Sequence, residues 1–97
     1  MIYKLKFLPS ALKEWESLDY SVKSLFKKKL QERLNNPCIP ASRLHGFKNH
    51  YKIKLKRAGY RLIYEVLENE ICVLVIAIGK RENNLVYKLA QKRAKPR

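Results

Sequence analysis

The stretch Tyr51-Lys52-Ile53-Lys54-Leu55-Lys56, then Arg57-Ala58-Gly59, then Tyr60-Arg61-Leu62-Ile63-Tyr64 decides the fold. Side chains on a strand alternate between two faces. Lys52, Lys54 and Lys56 therefore share one face, while Tyr51, Ile53 and Leu55 share the other. Arg57-Ala58-Gly59 reads as a turn that brings the chain back antiparallel. Glu68-Asn69-Glu70 predicts a second turn. Ile71 to Gly79 is an almost unbroken apolar run, the pattern of a central strand covered on both faces. Together these segments predict a three-strand meander.

Upstream, Met1 to Leu8 alternates Ile2, Lys4 and Lys6 against Tyr3, Leu5 and Phe7, a first strand stopped by Pro9. Ser10 is placed to cap a short helix with Leu12, Trp15 and Leu18 on one side. After Asp19-Tyr20-Ser21, Val22, Leu25, Phe26, Leu30 and Leu34 recur at helical spacing until Asn35-Asn36-Pro37 ends the pattern. The two helices are expected to form a hairpin on the sheet. Asn36 to His50, with Pro37, Pro40 and Gly46, reads as the one long irregular segment. Downstream, Asn83 or Asn84 can cap a last helix through Leu85, Val86, Leu89 and Ala90. Residues Lys92 to Arg97 read as a frayed basic tail. The expectation is an α+β fold: a small, mostly antiparallel sheet of about four strands backed by an N-terminal helical hairpin, with a C-terminal helix. Residues 1–97 are read as a single domain.

With 46% hydrophobic residues, the 97-residue chain can build one core and is not a disordered basic tail. Its formal net charge of +14 is the anomaly. From Arg33 to Tyr64 there is no Asp or Glu, while eight Lys or Arg side chains and both histidines fall inside that window. Ammonium groups about 7 Å apart along a strand repel one another, and a sheet normally intersperses carboxylates. None is available locally. Such a face suits a polyanion, nucleic acid above all. A solvated lysine face that keeps an edge strand from aggregating is the other reading. No stretch approaches the roughly 18 to 20 apolar residues of a membrane span, and the start reads as a strand rather than a secretory signal, so a cytoplasmic location is expected. Cys38 and Cys72 lack any zinc-ligand spacing and need no disulfide.

Standard catalytic motifs are absent. The chain has no HExxH, no GxSxG and no glycine-rich phosphate loop, and its eight acids all lie outside the basic window. Metal-dependent nucleases hold their ions with clustered carboxylates, so neither metal nor cofactor is expected. RNA can be cut another way, by attack of its own 2′-hydroxyl on the adjacent phosphate. The protein then supplies alignment, proton transfer and positive charge. A lysine crowded by like charges has a depressed pKa and can accept a proton, which an arginine cannot. His45 and His50 could shuttle protons by their intrinsic pKa or could be bystanders in the loop.

Tyr51 to Leu55, Gly59 to Tyr64, Ile78-Gly79-Lys80-Arg81-Glu82, Val86-Tyr87 and Ala11-Leu12-Lys13-Glu14-Trp15 together resemble the RelE toxins of bacterial toxin–antitoxin modules. The resemblance runs from about Met1 to Arg93. It implies a ribosome-dependent endoribonuclease that enters the ribosomal A site and cuts the mRNA codon there, with the 2′-hydroxyl as nucleophile and no metal. Carried over by position, it implies that Lys52 and Lys54 bind phosphate and are candidate base and charge stabilisers. Arg61 would stabilise the transition state, Arg81 would act at the leaving-group side, and Tyr87 would stack on or orient a base. A guanidinium is a poor proton donor, so Arg81 reads chiefly as an electrostatic clamp. Tyr87, beside Leu85, Val86 and Leu89, reads from the residues alone equally well as packing. Arg43, His45, Lys48, Lys56, Arg57, Lys27 and Lys28 are the candidate RNA and ribosome contacts, although Lys27 and Lys28 also fit a solvated helix face. The Glu and His pair of YoeB-like relatives has no counterpart here. Implied partners are an acidic RelB-like antitoxin, the small ribosomal subunit with its rRNA, mRNA, and operator DNA through the antitoxin alone. Two alternatives stay open: a ParE-like DNA gyrase poison on the same fold, and a non-enzymatic basic RNA-binding module.

Overall fold

The apolar run forms β4 (Cys72–Lys80) in the interior of a four-stranded sheet of order β1-β4-β3-β2. The computed structural model describes residues 2–94. β2 (His50–Leu55), β3 (Tyr60–Leu67) and β4 are antiparallel neighbours, the expected meander. β1 (Lys4–Phe7) joins parallel to β4, from Lys4 opposite Cys72 to Phe7 opposite Val75, so the sheet is mixed. A parallel partner needs a long crossover. The helices α1 (Pro9–Glu16) and α2 (Tyr20–Asn35), followed by β2 and β3, supply it. α3 (Leu85–Arg93) closes the chain.

Each face of the sheet is covered. Ala11 of α1 and Val22, Phe26 and Leu30 of α2 pack with Ile53, Leu55, Leu62, Tyr64, Val66, Val73, Val75 and Ile78 on one side. On the other, Val86 and Ala90 of α3 and Leu44 of the irregular segment pack with Ile63, Leu74, Ile76 and Ala77. The adjacent residues Ile76 and Ala77 face the same way because the register slips there. Ile63 pairs with Ala77, and the next residue, Tyr64, pairs with Val75. This bulge gives β4 one extra residue and restores the alternation beyond it.

The helix entries differ from expectation in ways local geometry explains. Pro9 occupies the first turn of α1 and Leu8 its N-cap, so Ser10 lies inside the helix and caps nothing. The inward face of α1 falls on Ala11 and half-buried Trp15, which turns Leu12 outward at 42% exposed. On α2 the buried residues Val22, Phe26 and Leu30 are spaced by four, leaving Leu25 51% exposed beside the β2–β3 turn. Lys56 belongs to that turn and not to β2. Lys92 and Arg93 are helical and end α3, whereas residues 95–97 of the expected tail lie outside the described residues.

β1 covers only the first half of β4. Beyond Phe7 the amide of Leu8 still donates to the Val75 carbonyl at 3.0 Å. Side chains then take over. Glu14 Oε1 accepts from the Ile78 amide at 3.0 Å, and Arg93 Nη1 donates to the Ile76 carbonyl at 2.9 Å. Arg93 also grips the Glu14 carboxylate with both nitrogens, at 3.0 and 2.9 Å. The other edge, β2, is held by Arg33, which donates to the Lys52 carbonyl at 3.2 Å, to Ser42 Oγ at 3.0 Å and to the Tyr64 hydroxyl at 2.9 Å. That hydroxyl in turn donates to the Pro37 carbonyl at 2.6 Å. Burial pushes the Tyr64 phenol up in pKa, partly offset by Arg33, so it stays a donor.

Two outcomes follow from this packing. Tyr64→Phe strips the Pro37 carbonyl and Arg33 of a buried partner and should lower stability by about 1–3 kcal/mol, read by urea unfolding with Trp15 fluorescence. Burial raises the Cys72 thiol pKa, which leaves less thiolate at neutral pH. A thiol reagent should therefore label half-buried Cys38 in the native protein and Cys72 only on unfolding.

Candidate active site

The β2–β3 hairpin sets the site. Lys54 is the register partner of Arg61, and Arg61 of Gly79, so these three positions form one row across β2, β3 and β4. The next row on the same face is Lys52, Ile63 and Ala77. Ile63 and Ala77 face α3, so Lys52, Lys54 and Arg61 share that face. Lys52 is half-buried and Lys54 exposed.

Gly59 closes the hairpin with φ +72°, a conformation costly for residues with a Cβ, and its amide donates to the Leu55 carbonyl at 2.8 Å. Its own carbonyl accepts the Arg81 amide at 2.9 Å. That bond anchors the backbone of exposed Arg81 at the hairpin, beside the Lys54–Arg61 pair. Gly79 serves a different purpose. A Cβ there would lie 3.6 Å from Val86 Cβ, so a side chain larger than methyl would push α3 off the sheet. Val86 therefore sits over the end of the Lys54–Arg61–Gly79 row, and its neighbour Tyr87 lies half-buried against the cluster that includes Ile63 and Ala77. Tyr87 thus packs and also keeps an open side. The N-terminal end of α3 follows Arg81 after one short turn and adds its partial positive charge.

Arg61 is the unusual residue. It is only 8% exposed, and its Nη1 donates to its neighbour's carbonyl, Tyr60, at 2.9 Å. Among the described residues the ion pairs are Lys6–Glu70 and Arg93–Glu14, so no carboxylate compensates Arg61. A guanidinium desolvated in this way can take an anion such as phosphate as its counter-charge. Among the described residues no three His, Cys, Asp or Glu side chains come together to hold a metal ion.

The remaining expected contacts divide between two ends of the sheet. Exposed Lys56 and Arg57 line a groove of about 370 Å³ with Leu25, Lys29 and Lys54, next to the site. Lys29 was not among the expected contacts, although its spacing of four from Leu25 could have signalled a shared face. Lys27 and Lys28 are exposed elsewhere on α2. Exposed Arg43 bridges to Tyr51, and exposed His45 follows it. Lys48 lies at the opposite end of β2 from the hairpin, in a cleft of about 770 Å³ lined also by Glu65, Glu68 and Glu70. Folding brings acids there that the local sequence lacks. His50 is 4% exposed, and its Nδ1 lies 2.7 Å from the Lys48 carbonyl. That contact requires a proton on Nδ1, and Nε2 is buried without a partner. His50 is therefore a packed residue held by the loop.

Comparison with known proteins places this geometry in context. Residues 5–85 match the family model described as ParE toxin of type II toxin–antitoxin system, parDE. The chain is 48% identical over 93 residues to the mRNA interferase toxin RelE of Escherichia coli, covering 96% of this chain and 98% of that one. A doubly substituted E. coli RelE toxin solved in the free state superposes with TM-score 0.91 at 46% identity, covering 98% of this chain and 100% of that one. The toxin in the intact E. coli RelBE toxin–antitoxin complex gives 0.81 at 47% identity, covering 84% and 99%.

Arg61→Met removes a buried cation that has no carboxylate partner among the described residues. Stability in urea should be unchanged or higher by about 1 kcal/mol, whereas replacement of an Arg that held the fold together would lower it.

Proposed function

The chain belongs to the RelE/ParE family of toxins of type II toxin–antitoxin systems, and from that premise we propose a RelE-type mRNA interferase, a ribosome-dependent endoribonuclease that cuts mRNA in the A site. The observation that carries the reading is Arg61, buried without a carboxylate among the described residues and aligned with Lys54 beside Arg81, in a chain 48% identical to an mRNA interferase. The family description names ParE, but the high identity lies with RelE proteins. That favours RNA cleavage over gyrase poisoning.

In the proposed reaction, the 2′-oxygen of one nucleotide attacks the adjacent phosphorus and loses its proton. The bond to the 5′-oxygen of the next nucleotide breaks, leaving a cyclic phosphate and a free 5′-hydroxyl. Lys52 and Lys54 face the phosphate: one holds it as an ammonium, and the other takes the proton as a neutral amine. Arg61 places its guanidinium on the non-bridging oxygens, where negative charge grows in the transition state. Arg81, its backbone held at the hairpin by the Gly59 carbonyl, stabilises the leaving 5′-oxygen, which takes its proton from water. Tyr87 offers its open side to a base and so fixes the strand in line for attack. The proposed site residues are lysines, arginines and a tyrosine, with no carboxylate or imidazole among them. Alignment must therefore do most of the work, which accounts for a requirement for the ribosome.

The proposed regulator is an acidic RelB-like antitoxin. A relative of this chain is solved as the E. coli RelBE complex. An extended acidic peptide is attracted to a +14 body at long and short range. It would cover or displace α3 and mask Lys52, Lys54 and Arg61, and only the complex would bind operator DNA. The site of action is the cytoplasm, where the ribosomes are.

Primer extension on a defined mRNA with a programmed empty A site tests this reading. A cut in that codon should occur only with ribosomes present, and Arg61→Ala or Arg81→Ala should each slow it about 100- to 1,000-fold while ribosome binding persists. An intact message at saturating protein would overturn the proposal and direct attention to gyrase.

A further inference from the structure

We infer that Glu14 and Arg93 are positioning residues for the cleavage reaction: by tying α3 to β4 they hold Tyr87 over the Lys52, Lys54 and Arg61 face. This rests on the ribonuclease reading above. α3 has nine residues, too few to be a stable helix alone. Val86, Ala90 and Arg93 are spaced by four and three and so form its inward face. Val86 docks over Gly79 at the N-terminal end. Ala90 offers only a methyl group. Leu89 adds a half-buried apolar contact, so Arg93 supplies the polar tie that fixes the C-terminal half of the helix to β4.

The contact that Arg93 makes is specific in three ways. Its two nitrogens meet the two oxygens of Glu14, a planar fork that lysine cannot reproduce. Its Nη1 also satisfies the Ile76 carbonyl, while Glu14 satisfies the Ile78 amide, so the pair is keyed to β4 and to α1 at once. Both side chains are mostly buried, at 19% and 24% exposed, and water does not dissolve the pair. Tyr87 lies six residues before Arg93, about 9 Å along the helix axis. Freedom at one end of so short a helix is displacement at the other. Arg93 is neutralised by Glu14 and so adds little to the cationic surface that draws RNA.

The experiment measures single-turnover cleavage at saturating toxin, ribosome affinity, and amide exchange of α3 against β3 and β4. Arg93→Ala should lower the saturated rate about 100-fold, the cost of misplacing a group by roughly an ångström, with affinity unchanged. α3 amides should exchange fast while β3 and β4 stay protected. Tyr87→Ala should add little in the Arg93→Ala background, because the ring has already left the site. Arg93→Lys should recover part of the rate. If Arg93→Ala does not fold, Glu14→Gln, which keeps an acceptor for Ile78, gives the same readings. A wild-type rate in the Arg93 variant, or losses from Arg93→Ala and Tyr87→Ala that multiply, overturns the inference. If the unaltered chain does not cut on ribosomes, the ribonuclease reading falls with it. The exchange arm then decides the tether by itself: α3 still protected in Arg93→Ala removes it.

Discussion

β4 is nine residues long and its parallel partner β1 is four, and much of the molecule answers that mismatch. An interior strand cannot leave backbone groups unpaired away from water; each would cost about 1–3 kcal/mol. The second half of β4 on the β1 side finds its partners in the Glu14 carboxylate and the Arg93 guanidinium. One comes from the first helix and the other from the last, so satisfying one strand edge ties α1, β4 and α3 into a unit. The bulge at Ile76 and Ala77 belongs to the same solution, because it sits where the side chains take over from β1.

The site is a consequence of that unit. α3 can lie on the sheet because Gly79 carries no side chain, and its closeness to β4 puts Tyr87 on the face that bears Lys52, Lys54 and Arg61. The hairpin contributes the rest: Gly59 turns the chain and receives the Arg81 amide. Arg61 is then desolvated under packed structure without a carboxylate, a destabilising placement for a cation that a bound phosphate would reverse. Among the described residues no carboxylate meets the charge at this position. The acids Glu65, Glu68 and Glu70 lie at the far end of β3 and beyond.

Much of this was legible in the chain. Alternation at Tyr51 to Leu55 gave the faces of β2, the continuous apolar run marked β4 as interior, and the acid-free window pointed to a polyanion. Leu12 and Leu25 were misread as inward because apolar identity alone does not fix the phase of a helix; the Pro9 entry and the four-residue spacing of Val22, Phe26 and Leu30 do. Arg93 was misread as part of a frayed tail because a basic run near a terminus looks solvated until its carboxylate partner, 79 residues away, is known. Arg33 stood at the border of the basic window with nothing local to show that it would brace β2 and Tyr64.

The sequence by itself determined the elements, the cationic character of one strand face and the acid-free window from Arg33 to Tyr64. These depend on periodicity and composition, which neighbouring residues carry. The tertiary structure decided the parallel placement of β1, the tether between Glu14 and Arg93, the burial of Arg61 and the acidic surroundings of Lys48. Each joins positions far apart in the chain, and such pairings are selected by the packing of the whole sheet, since no local pattern records which distant backbone group will need a partner.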